Sequence, residues 1–220
     1  MRDGHHVSRR RFVELSVSAA ALGVLGTARA TAEEDAVLRE TADLSTGPFY
    51  PQQRLRETDA DLTMLRGHRE RATGQVVQLS GRVLNQRGVP LRDVRIEIWQ
   101  ANANGRYAHP SDPNTSAPLD PNFQGYASLR TDRDGHYRVT TIKPGPYPTA
   151  RGDMRAPHIH FEVHGRTDRK VTQLFFPGEP LNARDRLLNA VRRQDTLLAK
   201  VSTADESVLV ATWDIVLTTG

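Results

Sequence analysis

Alternation of apolar and polar positions sets in near residue 76 and recurs to the end of the chain. Val77, Leu79 and Val83 fall on one side of a two-residue repeat that also carries Gly81, and Val94, Ile96 and Ile98 repeat the pattern. A period of two places those side chains on one face of a strand. Asn85-Gln86-Arg87-Gly88-Val89-Pro90, between the two runs, has the composition of a turn. Asp132-Arg133-Asp134-Gly135, leading into Tyr137, Val139 and Thr141, predicts a hairpin. It is no calcium loop, because Lys143 stands where the twelfth-position glutamate belongs. Further strands are predicted over 158–163, 171–176 and 208–217. Helical character is confined to a short segment around 33–41 and to an amphipathic run over 183–193, through Leu187, Leu188 and Val191. Many short strands with turn residues between them predict an all-β chain, an antiparallel β-sandwich with long loops and little helix.

One connection breaks the pattern. Residues 101–126 show no periodicity, only Asn, Gly, Pro, Asp and Ser with scattered aromatics. Structureless connections of that length are uncommon inside a domain and usually functional. Tyr107, Phe123 and Tyr126 would be wasted on a solvated loop, so the segment is expected to pack over a site.

The apparent basicity, a pI of 9.7 and a net charge of +4, belongs to the first thirty residues. Five arginines against Asp3 and Glu14 leave residues 1–30 at +3 and residues 31–220 at +1. A nucleic-acid footprint needs a basic stripe, and none remains. Residues 1–30 read as a targeting leader: Arg9-Arg10-Arg11-Phe12, an apolar stretch from Leu15 to Gly26, then the small-x-small cleavage signature Ala28-Arg29-Ala30. The arrangement resembles a twin-arginine signal, which implies the twin-arginine export machinery as a partner and a periplasmic or extracellular destination. The apolar stretch is too short to span a bilayer, so no stable membrane insertion is expected. The expected division is a leader over 1–30, a polar N-terminal extension over 31–72 and a catalytic β-sandwich over 73–220. The chain has no cysteine, which excludes disulfides, thiolate metal sites and cysteine nucleophiles.

His158-Ile159-His160 lies at the head of a predicted strand. Side chains at i and i+2 share a face, so the two imidazoles form a pre-oriented pair, with Ile159, Phe161 and Val163 facing the core. The same alternation continues into Glu162 and His164, so a partly solvated polar face is an equal reading of the histidines alone. Two of the five tyrosines sit in irregular backbone: Tyr107 in Gly105-Arg106-Tyr107, and Tyr147 in Pro144-Gly145-Pro146-Tyr147-Pro148. Imidazole suits iron, copper or zinc, whereas a phenolate is a hard anion that favours a trivalent ion. Two phenolates, two imidazoles and a hydroxide would neutralise Fe(III). Taken singly, each tyrosine is also readable as a half-buried ring with a bonded hydroxyl.

Several runs together resemble the intradiol ring-cleavage dioxygenases. They are Thr46-Gly47-Pro48-Phe49-Tyr50-Pro51, Ile96-Glu97-Ile98-Trp99-Gln100-Ala101-Asn102 with Gly105-Arg106-Tyr107, Asp120-Pro121-Asn122-Phe123, Thr141 to Pro148, Arg155 to Phe161, and Thr172-Gln173-Leu174-Phe175-Phe176. The likeness covers about residues 45–182 and is strongest to the iron-bearing subunits that act on protocatechuate. It implies a prealbumin-like sandwich with a non-haem Fe(III) held by Tyr107, Tyr147, His158 and His160. It also implies that Tyr147 leaves the metal and acts as a base when substrate arrives, that Arg155 stabilises the ketonised substrate, and that Gln173 stands on the oxygen side. Trp99, Tyr50 and Thr149 are implied to line the substrate pocket. The substrates implied are a catechol and O2, cleaved between the hydroxyl-bearing carbons to a cis,cis-muconate-type dicarboxylate without a reductant. Thr149 stands where the protocatechuate enzymes usually carry tryptophan. A homo-oligomer or a related second subunit is expected, since those enzymes complete their site with one.

Two other readings compete. The strands around Ser80–Val94 and the turn at 132–135 are also similar to non-catalytic prealbumin-like binding modules, which have no use for the Tyr107, Tyr147, His158 and His160 set. A zinc hydrolase on His158 and His160 would need a third ligand and a general base, for which Glu162 is the candidate.

Overall fold

The computed structural model describes residues 37–52, 57–205 and 207–219. The expected leader over 1–30 lies outside the described residues, as does the start of the helix expected over 33–41. The elements, in order, are β1 (Val76–Asn85), β2 (Arg95–Trp99), β3 (Tyr126–Arg130), β4 (His136–Ile142), β5 (Tyr147–Pro148), β6 (Met154–Arg155), β7 (His158–His164), β8 (Arg169–Phe175), α1 (Arg186–Asn189), β9 (Lys200–Asp205), β10 (Val208–Thr212) and β11 (Ile215–Leu217), with single 3-10 turns at Pro180–Arg184 and Gln194–Leu197.

Two sheets share one core. In the first, β1 runs at the centre, with β4 antiparallel on one edge and β10 and β11 along the other, and β9 outside β10. The second has the order β3-β2-β7-β8 and is antiparallel throughout. The alternating residues meet between them: Val77, Leu79 and Val83 of β1 and Tyr137 and Val139 of β4 pack with Ile96 and Ile98 of β2, Ile159, Phe161 and Val163 of β7 and Leu174 of β8. Burying these side chains removes each from water at about 1.5–3 kcal/mol, which is what holds the sheets together.

The all-β sandwich stands as expected, with four corrections of detail. The first sheet is mixed rather than antiparallel, because β1 pairs in parallel with β10 and β11. The strand expected over 208–217 is two strands. At the break the Trp213 N–H bonds Ser80 O at 2.9 Å and Asp214 Oδ1 accepts the Arg82 N–H at 2.8 Å, so side chain replaces main chain for one step of the ladder. The turn at 132–135 forms, with Asp132 Oδ1 accepting the N–H groups of Asp134 and His136, but the strands it joins lie in different sheets and make no hairpin. The helix over 183–193 shrinks to the four residues of α1, because Asp185 is extended (φ −72°, ψ 108°) and caps Leu187 and Leu188 with its side chain.

Residues 37–41, the described part of the other expected helix, are not helical. Tertiary bonds win over local preference there: Leu38 N–H to Gln86 O, Thr41 N–H to Val216 O, and the buried Lys170 ammonium on Glu40 and Asp43 at 2.8 and 3.0 Å. The stretch before β1 likewise lies on the sandwich, with Leu62 fully buried in the core. No helix of the described residues is long and apolar enough to cross a membrane.

Candidate active site

The face of the second sheet turned away from the core carries polar and aromatic residues in register. Tyr126, Trp99, His160 and Gln173 form one row across β3, β2, β7 and β8, and His158 pairs with Phe175 at its edge. Two irregular segments deliver the tyrosines. Asn102 Oδ1 accepts the N–H groups of Asn104 and Arg106, and Asp112 Oδ2 accepts that of Tyr107 at 2.7 Å, so side-chain acceptors shape the loop where no ladder exists. The segment ending at Tyr147 is pressed against it. A Cβ on Gly105 would stand 2.1 Å from Pro146 O, and one on Gly145 would stand 2.4 Å from Ala103 O, so the backbones touch only because both positions are glycine. The Gly145 N–H bonds Asn102 O at 2.9 Å and locks the contact.

The four residues singled out as ligands converge. The Tyr147 hydroxyl lies 3.2 Å from His158 Nε2, and His158 Nε2 lies 3.2 Å from His160 Nε2. The Tyr107 and Tyr147 rings meet edge to face at 5.2 Å. All four are buried. His158 Nδ1–H donates to Ala156 O at 2.6 Å, which fixes its tautomer and leaves the Nε2 lone pair facing the cluster. Trp99 stacks on the His160 ring at 4.9 Å and 11°, so it supports the imidazole as well as bordering the site. Phe49 packs on both tyrosines, at 4.6 and 5.9 Å.

Burial pushes both imidazoles well below the usual histidine range, helped by the Arg155 charge and, at His160, first by His158. It pushes the Tyr107 phenol well above its ordinary value, with the neighbouring Tyr147 adding to the effect. Tyr147 is raised by burial and partly brought back by Arg155. The imidazoles are therefore neutral donors at pH 7, and the phenols ionise only against a nearby cation.

That donor set fits a metal ion. Tyr107 Oη is buried without a hydrogen-bond partner, and Tyr147 Oη and His160 Nε2 each lie 3.2 Å from His158 Nε2. Adjacent ligands each ~2.1 Å from one ion stand ~3 Å apart, close to the observed imidazole spacing. Imidazole and phenolate together favour a trivalent iron over zinc.

Arg155 is 5% exposed and reaches two partners: its Nε–H donates to Asp185 Oδ2 at 2.9 Å and a terminal N–H to Gln173 Oε1 at 2.7 Å. Gln173 Nε2 is held in turn by Ser45 O at 3.0 Å. The structure places the other named residues further off. Tyr50 lies edge-on to Trp99 at 5.1 Å, with its hydroxyl on Glu97 rather than on the histidines. Thr149 is half-buried in the β5–β6 turn, where its Oγ1 accepts the Arg151 N–H at 3.3 Å. Sequence reasoning missed Asp185, Phe49 and the Ala156 carbonyl. The only signal for Asp185 was a capping residue before Leu187, and for Ala156 there was none.

The 101–126 loop packs against the site as expected. A cavity of about 60 Å³ between loop and sheet is lined by Phe49, Trp99, Tyr107, His109, Phe123 and Tyr126, among others, and by neither His158 nor His160. The hydrolase reading loses its base. Glu162 belongs to a separate cluster with Glu97 and His164, where Arg169 bonds Glu162 at 2.8 Å and Arg95 pairs with Glu97 at 3.3 Å.

A family model described as dioxygenase matches residues 45–219. The protocatechuate 3,4-dioxygenase beta chain of Burkholderia cepacia is 39% identical over 189 residues, which span 82% of this chain and 80% of that protein. The hydroxyquinol 1,2-dioxygenase of Rhodococcus opacus is 33% identical, over 78% of this chain and 57% of its own length. Among solved structures, the dioxygenase domain of a dioxygenase–carbohydrate-binding protein fusion from Streptomyces sp. SirexAA-E superposes with a TM-score of 0.64 at 27% identity, covering 83% of this chain and all of that one.

Proposed function

Since the chain belongs to the intradiol ring-cleavage dioxygenases, we propose that it holds a non-haem Fe(III) on Tyr107, Tyr147, His158 and His160 and cleaves a catechol with O2 between its two hydroxyl-bearing carbons. The product is a cis,cis-muconate-type dicarboxylate. The observation that carries this reading is the convergence of Tyr147 Oη, His158 Nε2 and His160 Nε2, all buried, with the buried Tyr107 ring edge-on to Tyr147 and His160. The ferric ion, when bound, supplies the chelation that ionises the catechol and draws electron density from its ring.

The protein's own groups do the rest. Tyr147 Oη, as phenolate, takes the proton of one substrate hydroxyl. The guanidinium of Arg155 supplies a fixed positive charge in a water-poor site, where it stabilises the ketonised, carbanion-like form of the ring far better than it would in water. Gln173 holds one edge of that guanidinium. His158 is kept in one tautomer by Ala156 O, and His160 in one ring plane by Trp99. Trp99, Tyr50 and Thr149 are proposed to border the substrate, with Thr149 leaving more room than a tryptophan at that position.

The relatives that the chain matches include a protocatechuate 3,4-dioxygenase beta chain and an alpha chain, which supports assembly with further copies or with a related subunit. Export through the twin-arginine route to the periplasm or beyond is proposed from Arg9-Arg10 and Ala28-Arg29-Ala30. The reaction is tested by turnover of catechol, protocatechuate and hydroxyquinol under ¹⁸O2. Both labels in a ring-opened dicarboxylate support it, and cleavage beside the hydroxyls, giving a semialdehyde, overturns it.

A further inference from the structure

Asp185 is fully buried, and its two carboxylate oxygens serve different masters. Oδ1 accepts the N–H groups of Leu187 and Leu188 at 3.0 and 3.1 Å and so caps α1. Oδ2 accepts the Arg155 Nε–H and the Ala156 N–H, both at 2.9 Å. The Ala156 carbonyl is the group that receives His158 Nδ1–H. One side chain thus grips a guanidinium and, one peptide further on, the main chain that orients an imidazole.

Helix capping does not account for this arrangement. Asn or Ser would cap a single turn as well as Asp, and Oδ1 alone does that work. Negative charge is needed only at Oδ2, against a guanidinium that is itself 5% exposed. A guanidinium is planar, so fixing Nε on Asp185 and one terminal nitrogen on Gln173 fixes the plane of the whole group. Its charge acts on Tyr107, Tyr147, His158 and His160 together.

We propose that Asp185 is a positioning residue for ring cleavage, which sets the plane and place of the Arg155 charge beside the bound catecholate. The inference rests on the role given above to Arg155.

Asp185→Asn tests it. The amide oxygen can still cap α1, while the amide nitrogen turns a donor toward the two donors that Oδ2 served. In the iron-loaded full chain, with whichever of catechol, protocatechuate and hydroxyquinol the wild type cleaves fastest, kcat is expected to fall about 10–100-fold. KM and iron content stay near wild type. Asp185→Ser, which keeps only the cap, loses as much, and Asp185→Glu, which keeps the charge, recovers part. Adding Asp185→Asn to Arg155→Gln costs nothing further, because the first acts through the second. In ¹⁵N-edited NMR of the metal-free protein, the Arg155 Nε–H signal is slow to exchange in the wild type and fast in the Asn and Ser variants. Losses that add in the double variant, or a kcat that Asp185→Asn leaves unchanged, overturn the proposal. A wild type that cleaves none of the three catechols defeats the functional reading instead, and is recognised before any variant is compared.

Discussion

The Nε2 atoms of His158 and His160 lie 3.2 Å apart, both rings buried and both held from behind, His158 by the Ala156 carbonyl and His160 by the Trp99 ring. That spacing is an N–H···N hydrogen bond in the metal-free protein and also suits two ligands of the proposed iron. His158→Gln and His160→Gln are each expected to abolish stoichiometric iron binding. Metal analysis of the protein after iron loading and gel filtration reads the outcome directly.

The same pair makes the metal-free protein sensitive to acid. Both imidazoles have folded-state values well below 6.5, the unfolded value, chiefly through burial. Below about pH 6.5 the unfolded chain binds protons that the native one refuses, so stability rises with pH and falls on acidification through that point. Each imidazole contributes a slope of up to ~1.4 kcal/mol per pH unit. Urea midpoints of the metal-free protein between pH 7.5 and 5.5 should fall, and should fall less steeply in the His160→Gln variant.

The fold of the site was only partly legible in the sequence. Period-two runs such as 77–83, 94–98 and 158–163 announce a sheet because alternation is a local property. Tyr107 and Tyr147 could be suspected from their irregular surroundings but joined to the histidines only through resemblance to a family. What brings them together is the backbone contact at Gly105 and Gly145, forty residues apart, which no local pattern records. The shrunken helix has the same cause. The Leu187, Leu188, Val191 spacing is helical, yet Asp185 spends its side chain on Arg155 as well as on the cap, and its own extended backbone separates α1 from the 3-10 turn before it.

Gly145→Ala places a Cβ where Ala103 O already lies at 2.4 Å. The two tyrosine segments must part, at a cost of about 1–3 kcal/mol typical of overpacking. The expected result is a lower Tm together with weaker iron retention, whereas Gly67→Ala, at a glycine with open space around it, leaves iron retention unchanged.

Tyr147→Phe removes the proposed base and one anionic ligand while keeping the ring packed on Phe49 and Tyr107. Turnover is expected to fall ~10²–10⁴-fold, the usual worth of a positioned proton acceptor. Stopped-flow mixing with substrate should show the loss in the binding of ionised catechol.

Colour decides whether the proposed ferric tyrosinate site exists. The visible absorption spectrum of the iron-loaded protein should show a broad tyrosinate-to-iron band that shifts when catechol or protocatechuate is added without oxygen, and that weakens in Tyr107→Phe and Tyr147→Phe. A protein that takes up iron yet stays colourless, before and after the catechol, would contradict it.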